Sequence, residues 1–513
     1  MNVAAGIREF SVATPSAIAV IDGERTLNYV TLNERVNRVA NMLLGAGVFP
    51  GHPVAFVCGN RLEYPEVAAG CARAGLPLVP INPRLTSREI MYQVQHSGAQ
   101  AIIFDAALAD TVVPCFEGSE LKLVLAIDGG AAAPDYETAI GKARTSDPGI
   151  SVKETDPFCI AYTSGTTGRP KGVLISHRCR CLTFYCSAIE WGLSPGRTTV
   201  AVAPLYHGAG FAFAFAALHT GGKVAMLRHF DPENLLSIID KVGAQTLFLV
   251  PTHARMLQAL GDDAIRRSPL DTLETLYFNA APLPQELKNW LMGILPGIRL
   301  HELYGSTELG VVTDLRPEDQ TRKTACVGPP WFMTEIKILG TDGQQVQPGE
   351  KGELYSRSPF LMNGYLNDDA ATRECSTDDG YVSAGDVATI DEDGYVYILD
   401  RTKDMIISGG VNVYPREIEE VLIGNPQVVD VAVIGEKSAK WGEQVSAFIV
   451  VAGGRELDTA ALQEYCGQSL AGFKIPRIWR VVNEIPRNTA GKILKSELRI
   501  RAEQLSTLQL PTD

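Results

Sequence analysis

The 513-residue sequence has no CxxC pair among its ten cysteines, and only eight histidines. A disulfide scaffold and a paired zinc knuckle are thereby excluded, and reduced thiols are expected. Apolar runs of membrane-spanning length are missing too. The most apolar stretch, GAGFAFAFAAL from Gly208 to Leu218, stops at His219 and reads as a buried core helix. The first residues, MNVAAGIREFSV, lack the basic start and apolar run of a secretory leader. Positive charge is in deficit, the formal net charge being -13. That speaks against nucleic acid or an anionic membrane as the main partner. A cytoplasmic protein acting on small molecules is the expectation, with association into a homo-oligomer left open. Repeats of fixed period and low-complexity segments are absent. One cysteine cluster remains, His177, Cys179, Cys181 and Cys186. Its alternation, in a segment read as β-rich, puts Cys179 and Cys181 on one strand face without a second ligand pair, so a metal is not expected there.

What is present is an ordinary globular composition, with 45% hydrophobic and 20% charged residues. The chain is too long for one core. Leu32, Val36, Val39, Ala40, Leu43 and Leu44 recur at helical spacing. HPVAFVCGN, AQAIIFD, LKLVLAID, TTVAVAPL and AQTLFLVP read as buried strands between such helices. Alternation of this kind implies parallel sheets covered by helices. After about Gly328 the pattern changes to short strands with Asp-Gly and Pro-Gly turns, a small β-rich subdomain. A compact α+β unit follows, with a helix starting at Pro415 beside Glu417, Glu419 and Glu420. From Lys403 to the end, 13 basic residues face 14 acidic ones, so nearly all the negative excess lies earlier. Lys474, Arg477, Arg480 and Arg487 cluster in this tail, as a solvated face or as an anion-binding surface.

The stretch YTSGTTGRPKG, Tyr162 to Gly172, packs glycines, hydroxyls and cations together. A Walker loop needs a different glycine–lysine spacing and a following helix, whereas strand-like PFCIAY and GVLISH flank this one. Glycines nevertheless let successive N–H groups converge on an anion, and the hydroxyls of Thr163, Ser164, Thr166 and Thr167 add donors. A phosphate cradle is the reading.

With PLYHGAG (Pro204–Gly210), YGSTE (Tyr304–Glu308), SAGD and DEDGYVYILDRTKDMI (Ser383–Ile406), SGGVNVYPREIE (Ser408–Glu419) and NTAGK (Asn488–Lys492) in order, the chain resembles the adenylate-forming enzymes. These are the acyl-CoA synthetases, luciferases and peptide-synthetase adenylation domains; in register it is similar to 4-chlorobenzoate–CoA ligase and other aryl- and acyl-CoA ligases. The resemblance spans nearly the whole chain. It implies an α/β fold: a large N-terminal domain, residues 1–402, of two helix-covered sheets plus a small β-rich subdomain, then a small mobile α+β domain, residues 403–513, hinged near Lys403.

It also implies ATP, Mg²⁺ and coenzyme A as reactants and cofactors, and a carboxylic acid converted to acyl-AMP and then to a thioester. Thr163, Ser164, Gly165, Thr166, Thr167, Gly168 and Lys171 would hold the departing phosphates. Tyr304 would stack on adenine near Ala280, Ala281 and Gly305, Thr307 would touch the α-phosphate, and Glu308 would hold Mg²⁺. Asp386 would bind the ribose, with Arg401 beside it. Lys492 would bridge carboxylate and phosphate during adenylation, offsetting like-charge repulsion. His207 would gate the carboxylate, unless it is a satisfied core histidine. Gly409 and Gly410 would line the pantetheine path, and Trp441, Phe473, Lys474 and Arg477 would meet the CoA nucleotide, unless Trp441 is a core aromatic. The acyl pocket would be formed by Phe184, His207, Gly208, Ala209, Leu249, Ala280, Leu303, Gly305, Leu309 and Gly310. That lining is almost wholly apolar, so an aromatic or medium-chain acid is expected. Departures from the family pattern are Ala384 in SAGD, Asp400 before Arg401, and Ile475. Two other readings stay open: an adenylation enzyme that loads a carrier protein, and a nucleotide-binding protein with decayed catalysis.

Overall fold

The computed structural model describes residues 1–116, 120–130, 132–163, 170–401, 404–408, 411–438, 441–451, 457–488 and 492–507. Packing divides the chain into two compact units. The first comprises Met1–Glu335 and Ser356–Val382, and the second Ile336–Tyr355 and Ser383–Asp513.

Two sheets build the first unit. The larger has eight strands, from Gly310–Leu315 through Arg299–Ser306, Thr275–Phe278, Thr246–Leu249, Thr198–Ala201, Lys223–Met226 and Ile18–Asp22 to Arg25–Asn28. Its interior strands pair in parallel, and one antiparallel strand closes each edge. The second sheet orders Gly364–Tyr365, Lys171–Ser176, Pro157–Thr163, Leu78–Ile81, Val54–Val57, Ala101–Asp105 and Leu123–Ile127. Four-residue strands such as Val54–Val57 are buried throughout, as strands covered on both faces must be. The helix Gly208–His219 is buried from Gly210 onward, which is why its sequence carries no polar stripe. Among the described residues no helix is long and apolar enough to cross a membrane.

The cysteine-rich segment corrects the expectation of a strand. His177–Trp191 is an α-helix, begun by the Ser176 side chain accepting from the Cys179 N–H and ended at Gly192 in the left-handed region. His177 accepts from the Val3 N–H at 3.2 Å, and Cys179 Sγ reaches the Phe360 carbonyl. Helical spacing, not strand alternation, separates these thiols.

The second unit holds a four-stranded sheet, Glu335–Leu339, Gly352–Arg357, Val382–Ile390 and Val396–Arg401. Its other sheet centres on Gly442–Val451, which pairs antiparallel with Val428–Ser438 and parallel with Ile478–Val481. The helices Pro415–Ile423 and Thr459–Gly467 bury Ile418, Leu422, Leu462 and Cys466 against it. The basic residues of this unit are mostly neutralised: Lys474 pairs with Glu417, Arg480 with Glu436 and Arg487 with Asp430. The solvated-face reading of that cluster therefore fits better than a bare anion-binding surface.

Candidate active site

In the first unit, the strand Pro157–Thr163 delivers Thr163 to one end of the glycine-rich loop, and the antiparallel strand Lys171–Ser176 starts at the other. Ser164, Gly165, Thr166, Thr167 and Gly168 lie outside the described residues. The loop's footing is braced by the helix Ser87–Ser97. Tyr92 donates to the Pro170 carbonyl at 3.0 Å, and His96 shares a 2.8 Å hydrogen bond with the Tyr162 hydroxyl.

Thr307 and Glu308 stand on the turn joining Arg299–Ser306 to Gly310–Leu315, where Ser306 Oγ accepts from the Leu309 N–H. Thr163 Oγ1 donates to Glu308 Oε1 at 3.4 Å. The same oxygen accepts from the Tyr365 hydroxyl at 3.2 Å, and the Lys171 ammonium sits 4.8 Å from the centre of the Tyr365 ring. Thus both ends of the loop and the YGSTE carboxylate meet at one spot, joined by Tyr365, a residue no motif singled out. Burial, and then the nearby Glu308 charge, push the Tyr365 phenol above its ordinary range.

An oxygen donor set of this kind, carboxylate plus hydroxyl beside a phosphate cradle, suits Mg²⁺. Glu308 and Thr163 would hold it, and it would neutralise phosphate charge there.

Gly305 and Gly310 have a packing reason. A Cβ on Gly305 would stand 2.0 Å from the Gly310 carbonyl oxygen, and Gly310 has φ +69° against Phe360. Tyr304, opposite Thr313 in this ladder, is half-buried. Ala280, next to the predicted adenine site, is exposed and holds φ 76°, a conformation that disfavours a side chain.

His207 precedes the helix Gly208–His219, its ring 4.7 Å from that of Tyr206. Burial pushes its imidazole down to about 4, so it is neutral at physiological pH. His207 and Gly208 line a narrow crevice with Tyr64, Cys159, Arg180 and Phe211. Other expected pocket residues are taken up by packing. Phe184 is fully buried, stacked on Phe215 at 5.6 Å, and Leu249, Leu303 and Leu309 are buried likewise. Beside Gly208 stands one polar residue outside the expected lining, Arg180, whose Nη2 lies 3.3 Å from where a Gly208 Cβ would stand.

In the second unit, Asp386 and Arg401 face each other across one antiparallel ladder and pair at 3.2 Å. Asp386 is buried. Asp400 accepts from the N–H groups of Arg401 and Arg416. Burial pushes its carboxyl up, against the pull of Lys495 and those donors. Lys492 is half-buried on a turn tied by Lys492 N–H to Asn488 Oδ1 and Asn488 N–H to the Lys492 carbonyl. The Arg477 guanidinium lies 4.5 Å over the Trp441 ring and donates to Ser408 Oγ, while Phe473 is exposed next to Lys474. Trp441 is half-exposed and stacked on a cation, not a core aromatic. Lys403, Gly409 and Gly410 lie outside the described residues. Each unit thus assembles its own share of the expected residues.

Known proteins resemble this chain over most of its length. Residues 7–366 match the model of the AMP-binding enzyme family, and residues 417–492 that of the AMP-binding enzyme C-terminal domain. A feruloyl-CoA synthase of Amycolatopsis sp is 37% identical over 494 residues, 95% of this chain and 96% of that protein. A 2-succinylbenzoate–CoA ligase of Geobacillus kaustophilus is 34% identical over 96% of both chains. The crystal structure of ATP-bound MatB from Rhodopseudomonas palustris superposes with a TM-score of 0.90 at 29% identity, over 98% of this chain and 100% of that one.

Proposed function

The chain belongs to the AMP-binding enzyme family and is an AMP-forming acid–thiol ligase; on that premise we propose that it joins an aromatic or medium-chain carboxylic acid to free coenzyme A. The observation that carries the site assignment is the meeting of Thr163, Lys171 and Glu308 around Tyr365. One turn and both ends of a glycine-rich loop then face the same triphosphate.

The chemistry runs in two steps. A carboxylate oxygen attacks the α-phosphorus, the bond to the β-phosphate breaks, and pyrophosphate leaves. The CoA thiol then attacks the acyl carbonyl, the bond to AMP breaks, and the thiol proton passes to solvent. Joining two anions in the first step makes charge neutralisation the main task. Lys171 and the loop donors serve the leaving phosphates, Thr307 and Lys492 the α-phosphate and carboxylate, and Asp386 with Arg401 the ribose. Mg²⁺ on Glu308 adds charge when bound. A hinge near Lys403 would let residues 403–513 alone serve both steps in turn. Arg477 stacked on Trp441, with Phe473 exposed nearby, suits a nucleotide-bearing thiol, since aromatic faces and a guanidinium bind bases and phosphates.

The test is a panel of carboxylic acids with ATP, Mg²⁺ and CoA, read for AMP, pyrophosphate and thioester. Activity with benzoate-, cinnamate- or octanoate-sized acids supports the proposal. Acyl-AMP without transfer to CoA overturns the acceptor, and activity confined to long fatty acids overturns the acid class.

A further inference from the structure

Burying a guanidinium without charged or hydrogen-bonding partners is costly, and the other buried guanidinium groups among the described residues have them. Arg61, 3% exposed, pairs with Glu63, Asp105 and Asp128. Arg35 pairs with Glu66 and Glu137. Arg73 reaches the side-chain oxygens of Asn33 and Asn37.

Arg180 is different. It is 8% exposed, its Nε has no hydrogen-bond partner, and among the described residues no carboxylate pairs with it. The Cys159 thiol interacts with it, as a weak acceptor. The hydroxyl of Tyr64, a fully buried residue on the same crevice, is also without a partner. Two unsatisfied donors therefore line one crevice, whose remaining walls include Phe158 and Phe211, stacked 5.5 Å apart. Its free volume is ≈ 10 Å³, about what the centre of one oxygen-sized group needs.

The crevice is placed to meet an acid. His207 and Gly208 line it. Cys159 and Ala161 share a strand face with Thr163, roughly 7 Å per two residues, so Arg180, beside Cys159, lies about two such steps from the phosphate loop. A benzoate- or cinnamate-sized acid together with the phosphate it joins spans about that distance.

We propose that Arg180, with the Tyr64 hydroxyl, binds a second anionic oxygen of the acid, a carboxylate or phenolate remote from the carboxylate that is activated. This rests on the acid–CoA ligase reading and narrows its substrate class to aromatic acids bearing such an oxygen. Arg180 is then a specificity residue: its charge is compensated only when the right acid is bound, and an acid lacking the oxygen leaves both donors orphaned.

The experiment compares 4-carboxybenzoate and 4-hydroxybenzoate with 4-methylbenzoate, in the full chain and in Arg180→Met, Arg180→Lys and Tyr64→Phe. The expected result is a wild-type preference for an oxygen-bearing acid in kcat/KM, reduced by about 100-fold in Arg180→Met. Arg180→Lys retains part of it, and Tyr64→Phe loses about tenfold. The two oxygen-bearing acids separate carboxylate from phenolate. Calorimetric binding of the same acids reads the preference without turnover, and circular dichroism checks folding. A preference unchanged in Arg180→Met, or no preference in the wild type by either readout, overturns the proposal. Binding preference lost in Arg180→Met with no thioester from any acid sustains Arg180 and overturns the ligase reading instead.

Discussion

The Tyr365 hydroxyl donates to Glu308 at 3.2 Å while the Tyr365 ring lies under the Lys171 ammonium at 4.8 Å. One side chain thus fixes a carboxylate and a cation that the sequence separates by 137 positions. Tyr365 sits on the two-residue strand Gly364–Tyr365, which pairs with Lys171–Ser176, so its position is set by the same ladder that holds the loop.

Tyr365→Phe keeps the ring and removes the donor. A hydrogen bond to a charged group contributes roughly 1.5–3 kcal/mol, so about a tenfold or larger loss of adenylation efficiency is expected. It should appear as a raised Mg²⁺ requirement, because Glu308 then keeps only the longer Thr163 bond. Pyrophosphate exchange against Mg²⁺ concentration measures it. An unchanged Mg²⁺ dependence would show that Tyr365 serves packing alone.

Ala280 offers a change in the other direction. Its φ of 76° places a methyl group in a region that costs about 1 kcal/mol or more for a non-glycine residue. Because Ala280 is exposed, Ala280→Gly removes little packing. The variant is expected to melt no lower and at most about 1 °C higher, the relieved strain being set against the greater freedom of its unfolded chain. A lower melting temperature would mean that the strain is relieved by contacts not evident at an exposed methyl.

Much of the fold is legible in the sequence because local patterns and burial agree. Fully buried strands read as apolar runs, and Gly208–His219 reads as core. The error at 177–191 came from weighing alternation over capping: Ser176 and Gly192, which start and end that helix, are both visible in the sequence. The motif residues were legible, since spacing within a turn carries Thr307 and Glu308 together. Tyr365 and Arg180 were not, because their neighbours Glu308 and Gly208 lie far off in sequence and no local rule links them. The partners of the basic cluster were not legible for the same reason. Glu417, Glu436 and Asp430, which pair with it, lie 44 to 57 positions upstream.

Acid stability follows from four histidines. Burial pushes His177, His207, His219 and His253 each down to about 4. The unfolded chain binds protons at these sites near pH 6.5, and the folded one does not until about 4. Stability is therefore complete above pH 6.5 and is lost as pH falls toward 4. Each site contributes about 1.4 kcal/mol per pH unit in that window. Chemical denaturation at pH 7, 6 and 5 should show midpoints dropping before the carboxylates titrate. A midpoint constant from pH 7 to 5 would mean that these rings reach solvent in the folded state.

Lys492 tests the division of labour between the two half-reactions. Lys492 is tied to Asn488 by reciprocal bonds, three residues before the helix that begins at Lys495. A cation that offsets repulsion between carboxylate and α-phosphate matters while that bond forms, and has no such task once the mixed anhydride exists. Lys492→Ala should lower acid-dependent pyrophosphate exchange by on the order of 10²–10³-fold. Thioester formation from preformed acyl-AMP and CoA should fall far less. Lys492→Arg keeps the charge but not the compact ammonium, and is expected to recover only part of the exchange. Equal losses in both half-reactions would move Lys492 from charge neutralisation in the first step to a general role in holding AMP.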